Sequence, residues 1–199
     1  MPSESSNASL PARAQPLRAD ARHNAGRVLA GARQAIAANG LGVSYHDIAR
    51  YAGVGVGTVY RRFPDRAELL EAVLLDILGE LTGSARSALA DPDPWRGFCA
   101  FFRTLAARFS ENAGLSQTLD DHGGSRVAAA RQGLLREIRR LTENAAAAGA
   151  LRADITWQDV PVLAASVPRP GRCALDLFPT DEQAQRCLAV ILDGLAASS

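Results

Sequence analysis

Ile48-Ala49-Arg50-Tyr51-Ala52-Gly53-Val54-Gly55-Val56-Gly57-Thr58-Val59-Tyr60-Arg61-Arg62-Phe63 is the stretch on which the reading of this 199-residue chain turns. It fits two short helices joined by a turn at Gly53, and Ile48, Ala52, Val54 and Val59 are spaced to lock them together across that turn. The face left over on the second helix carries Thr58, Tyr60, Arg61 and Arg62. An ordinary helical hairpin would satisfy the apolar pattern, but a merely solvated face seldom sets hydroxyls beside adjacent arginines. Ser44 with Asp47 makes a capping box that opens the first helix, and Pro64 closes the second, expected over about 56–63.

Working outward, Ala25, Val28, Leu29, Ala32 and Ile36 form a stripe at three- and four-residue spacing that stops at Asn39-Gly40, a helix of about twenty residues. Residues 1–17, rich in Ser, Ala and Pro, read as a tail. Downstream, Asp65 with Glu68 opens a long helix striped with Leu69, Val73, Ile77 and Leu81. Asp93 caps a helix whose first residue is Pro94, and this helix carries four of the six phenylalanines, Phe98, Phe101, Phe102 and Phe109. A short helix is expected near 115–121. Ser125 is expected to cap a long one, with Val127, Leu134, Ile138 and Leu141 inward and its end near Gly149. Thr156 with Asp159 and Thr180 with Gln183 predict two more, over 156–167 and 181–197. No alternating strand pattern occurs, so the expected class is all-α with about nine helices. The divisions are a tail (1–17), a three-helix helix-turn-helix head (18–64) and a helical body (65–199).

The chain has 22 basic and 21 acidic residues and a net charge of +1, and every basic residue is arginine. That near-neutrality hides a segregation. Residues 1–66 hold nine arginines against four acids, a net of +5, while the remainder nets −4. A basic front and an acidic rear indicate that the first third meets a polyanion, and arginine offers it planar, forked contacts.

From about Arg27 to Leu75 the chain resembles the DNA-binding region of the TetR/AcrR family of transcriptional regulators. The match runs through Ser-Tyr-His-Asp-Ile-Ala (44–49), Ala-Gly-Val (52–54), Gly-Thr-Val-Tyr (57–60) and Phe-Pro-Asp-Arg-Ala-Glu-Leu-Leu (63–70). It covers a quarter of the chain with agreement in spacing and residue type. The resemblance implies a homodimer that binds a palindromic operator, a recognition helix that enters the major groove, and a helical body that binds an effector and dimerises.

A recognition helix entering the groove amino end first brings Val56, Gly57, Thr58, Tyr60, Arg61 and Arg62 within reach of DNA. Arginine can grip guanine, hydroxyls more often donate to phosphate, and Val56 suits a thymine methyl. Ser44 and Tyr45 begin the preceding helix, where free N–H groups can meet a phosphate. Arg66 matches the position at which the family usually has Lys or Arg touching the DNA backbone. The sequence departs from the family at Gly55, where many relatives have serine. With Gly57 also lacking a side chain, base reading falls on few residues.

For the body, the resemblance implies a small apolar or amphipathic effector. Its candidate contacts are Leu74, Leu78, Phe98, Phe101, Phe102, Leu105, Leu119, His122, Leu135 and Ile138; most of these suit a plain core better than a pocket, and His122, beside a Gly pair, suits the surface. Wide apolar faces in the last two helices, with Val160, Leu163 and Val167 on one and Leu188, Ile191, Leu192 and Leu195 on the other, suit a four-helix dimer interface.

Three cysteines at wide spacing fit neither a disulfide framework nor a zinc site, and the three histidines lie far apart, so no metal, no cofactor and no catalytic set is expected. No apolar stretch approaches the length of a membrane span, and the first twenty residues lack a secretory apolar run, so the expected location is the cytoplasm and no membrane partner is expected. The sequence does not separate repressor from activator. It also leaves open a helical small-molecule sensor or an adaptor that has lost sequence-specific DNA binding.

Overall fold

The stripe that begins at Ala25 dictates the first helix, and glycine decides where that helix stops and what it can touch. The computed structural model describes residues 14–111, 124–169 and 178–197, and among these it has eight α-helices and no strand. Helix α1 (Ala14–Asn39) buries Val28, Ala32, Ala35 and Ile36. It begins within the stretch read as tail, and it ends where Gly40 adopts φ +74° and donates its N–H to the Ile36 carbonyl. Helices α2 (Tyr45–Ala52) and α3 (Val56–Arg62) follow. At Gly31, α1 meets α2 so closely that a Cβ would stand 2.5 Å from the Ala52 backbone nitrogen.

Helix α4 (Arg66–Leu89) is the spine of the molecule. Leu69, Leu70, Val73, Leu74, Ile77, Leu78, Leu81 and Ala85 are all buried, a wider arc than one stripe, because α4 packs against α1, α5 (Pro94–Glu111) and α6 (Ser125–Ala147) together. Asp65 caps α4 through the Ala67 N–H, and Asp93 caps α5 by accepting from the Trp95 and Arg96 N–H groups. Trp95 stacks on Phe98 with ring centroids 5.5 Å apart, and Phe98, Phe101, Phe102 and Leu105 fill the centre of the body.

Three helix boundaries differ from the expected ones, each for a local reason. Gly124, not Ser125, is the residue before α6, because the Gly124 carbonyl already accepts from Ala128 and draws Ser125 into the first turn. Helix α7 covers only Asp159–Ala165. The Thr156 N–H and hydroxyl both donate to the Asp159 carboxylate, which makes residues 156–158 a turn, and Val167 precedes Pro168, whose ring disfavours helical backbone before it. Helix α8 (Asp181–Leu195) has the expected Thr180–Gln183 capping box but stops two residues early. Ala196 pairs with Leu151 in an isolated antiparallel bridge, with Arg152 N–H on the Leu195 carbonyl (3.0 Å) and Ala197 N–H on the Ala150 carbonyl (2.9 Å). The helix expected near 115–121 lies outside the described residues.

Candidate nucleic-acid interface

The α2–turn–α3 unit is specified almost residue by residue. The Ser44 hydroxyl accepts from the Asp47 N–H at 3.2 Å and itself donates to the Asp47 carboxylate at 2.6 Å, which holds that carboxyl below its ordinary range. At the other end of α2, Gly53 takes φ +61° and donates to Arg50, while Val54 N–H reaches back to the Ala49 carbonyl at 3.0 Å. These two bonds close the helix in a Schellman motif and redirect the chain into α3. Arg27 of α1 fastens the turn by donating to the Gly53 carbonyl at 2.5 Å. Ile48, Ala52 and Val59 are buried between the helices, with Val54 half-buried beside them.

With Val59 inward, the outer face of α3 presents Gly57, Tyr60, Arg61 and Arg62, with Val56 and Thr58 half-buried at its edge. Tyr60 is 52% exposed. Arg61 donates to the Thr58 hydroxyl at 3.3 Å, and Arg62 lies over the Phe63 ring at 4.8 Å. Ser44 is exposed at the rim, although its hydroxyl is engaged by Asp47. Two expected contact residues lie underneath this face. Tyr45 is only 8% exposed and packs against Tyr60 with centroids 4.7 Å apart, and burial raises its hydroxyl above the usual tyrosine value. Arg66 donates to the Val43 carbonyl at 2.7 Å and also to that of Leu41, which ties the first residue of α4 to the loop that feeds α2.

A second junction joins this head to the body, and the sequence reading did not find it. Arg33 of α1 grips Glu80 of α4 through two bonds, at 2.6 and 2.8 Å, and reaches Asp76 at 3.1 Å; Arg108 of α5 approaches the same Glu80 at 3.2 Å. Donation by Arg33 holds the Glu80 carboxyl below its ordinary range. A cleft of about 340 Å³ opens beside this chain of charges, lined by Ala30, Arg33, Gln34, Ala37, Arg108 and Glu111. The bonded pairs are 28 to 47 positions apart, so no local pattern announces them.

Comparison with known proteins identifies this architecture. Residues 28–73 match the family described as bacterial regulatory proteins, tetR family, and residues 93–197 match the C-terminal domain of SbtR-like transcriptional regulators. The chain belongs to the TetR family of transcriptional regulators. Its structure is similar to that of a TetR transcription regulatory protein from Mycobacterium vanbaalenii, with TM-score 0.68 and 34% identity over 92% of this chain and 100% of the other. It is also similar to a TetR transcriptional regulator from Streptomyces coelicolor, with TM-score 0.68 and 30% identity over 87% and 99%. The ketosteroid transcriptional regulator KstR2 of Mycobacterium tuberculosis shares the fold at 19% identity and TM-score 0.57, over 87% of this chain and 95% of the other. No curated protein matches the chain.

In this TetR regulator, Leu74, Leu78, Phe98, Phe101, Phe102, Leu105 and Ile138 are buried and Leu135 is half-buried, whereas Leu119 and His122 lie outside the described residues. Of the residues expected at a dimer interface, Val160, Leu192 and Leu195 are buried within the chain's own core, and Leu163, Val167, Leu188 and Ile191 are half-buried. The apolar side chains that do face outward on α7 and α8 are Val162 and Val190, each 69% exposed. They lie on the opposite side of the stripes from which the expectation was drawn. No helix among the described residues is long and apolar enough to cross a membrane.

Proposed function

We propose that this TetR regulator is a ligand-responsive repressor that binds a palindromic operator as a homodimer through α3, and that a small apolar or amphipathic effector entering the body releases it. The observation that carries this reading is the outer face of α3, where an exposed tyrosine and two exposed arginines stand on a helix anchored by one buried valine. Two turns of helix touch too little DNA for tight binding, and two copies set about 34 Å apart meet successive major grooves. Exposed Val162 and Val190 support burial of α7 and α8 against a second copy.

The route from effector to DNA runs along α4. Its first residue is bonded to the loop before α2, and farther along Glu80 is gripped from α1 and α5. A shift of α4 caused by an effector among α4, α5 and α6 therefore alters the spacing of the two heads. The coupling must be reciprocal, with DNA weakening effector binding by the factor by which effector weakens DNA binding.

Selection from random duplex DNA tests the reading. The expected result is an enriched inverted repeat bound by a species of twice the chain mass; enrichment of no sequence, or binding by a single copy, overturns it. For the switch, an apolar compound that raises the melting temperature must also lower affinity for the enriched duplex. A stabilising compound that leaves that affinity unchanged rules the mechanism out.

A further inference from the structure

Three helix ends converge on Tyr45. It is the first residue of α2, its ring packs on Tyr60 of α3, and Arg66 at the start of α4 binds the two carbonyls of the loop leading into it. The Tyr45 hydroxyl is shielded and has no hydrogen-bond partner among the described residues, an arrangement that costs free energy. A phosphate oxygen cannot reach that hydroxyl without moving the ring. Tyr60, in contrast, is half exposed on the outer face of the recognition helix. The two rings are inclined at 59°, so the buried one limits the rotation and tilt of the exposed one.

We propose that Tyr45 is a positioning residue: its ring is a backstop that holds Tyr60 in the orientation in which Tyr60 meets the DNA backbone, and its hydroxyl makes no contact with DNA. This rests on the reading of α3 as the recognition helix. It assigns Tyr45 a different role from the phosphate contact expected of a residue at a helix amino end. It also ties the DNA-contacting face to the start of α4, since Arg66 bonds the loop that leads into Tyr45.

The test uses the full chain and the duplex that the unmodified protein enriches from random DNA. Tyr45→Phe is expected to bind that duplex as tightly as the parent and to melt no lower, because it removes an unpartnered buried hydroxyl. Tyr45→Leu and Tyr60→Phe are each expected to bind about tenfold more weakly, the scale of one lost hydrogen bond. The double variant is expected to be no weaker than Tyr60→Phe alone, since there is then no hydroxyl left to orient. A loss for Tyr45→Phe equal to that for Tyr45→Leu overturns the proposal, and so do losses that multiply in full. A second measurement needs no DNA. In protein labelled with 3-fluorotyrosine, Tyr45→Leu is expected to move the fluorine resonance of Tyr60 toward that of the free amino acid and leave that of Tyr51 in place. An unmoved Tyr60 resonance overturns the backstop, whereas failure of the unmodified protein to enrich any duplex overturns the DNA reading and leaves the fluorine result to decide the contact.

Discussion

At position 31 a hydrogen atom is the largest side chain that fits, because the backbone of Ala52 occupies the space a Cβ would need. Gly31→Ala must push α1 away from α2, and it is expected to destabilise the protein by about 1–3 kcal/mol, the usual cost of overpacking, despite alanine's higher helix propensity. Gly26 lies on the same helix with nothing near its missing Cβ, so Gly26→Ala is expected to stabilise by up to about 1 kcal/mol. Urea unfolding of the two variants separates packing from propensity within one helix. Gly55, the cap of α3, is also sterically open. Gly55→Ser is expected to leave the fold intact, gain a few tenths of a kcal/mol from the cap, and tighten DNA binding in a retardation assay.

At the scale of the element, the Arg33–Glu80–Arg108 chain holds α1, α4 and α5 together by charge. Glu80 titrates below its ordinary value of 4.5, so its contribution is fully present above that value and is lost as the pH falls through the lowered one; Arg33 stays charged throughout. The Glu80 side chain is 42% exposed, so the loss in Glu80→Gln at neutral pH is expected to be under about 1 kcal/mol. The difference between variant and parent should shrink as the pH falls below 4.5, and a difference that persists undiminished into acid excludes this role.

Helices of this kind are legible because their signals are local. The stripe of Leu69, Val73, Ile77 and Leu81 and the Ser44 and Thr180 boxes each need only a few neighbouring residues, and all are found as read. What a stripe cannot state is whose core it enters. Val160, Leu192 and Leu195 are as apolar as an interface requires, but they fill the chain's own interior. Nor does the sequence show that Tyr45 packs on Tyr60 or that Arg66 bonds the loop before α2, since the side of α2 that faces α3 and α4 depends on contacts between distant segments.

For the whole molecule, the split into a +5 front and a −4 rear predicts that binding to DNA depends steeply on salt even though the net charge is only +1. In the proposed dimer every phosphate-neutralising arginine acts twice. Arg62→Ala is therefore expected to reduce the slope of log affinity against log salt by about 1.8, twice the value of about 0.9 for one phosphate. An unchanged slope means that Arg62 serves only to cover the Phe63 ring. The aromatic residues are segregated as cleanly as the charges. All three tyrosines, Tyr45, Tyr51 and Tyr60, belong to the head, and both tryptophans, Trp95 and Trp157, belong to the body, one of them stacked on Phe98. Emission excited where only indole absorbs reports on the body alone, and phenol emission originates only in the head. The protein thus carries its own two-colour label, and a mismatch between the two signals during unfolding would reveal the head melting apart from the body without any probe being attached.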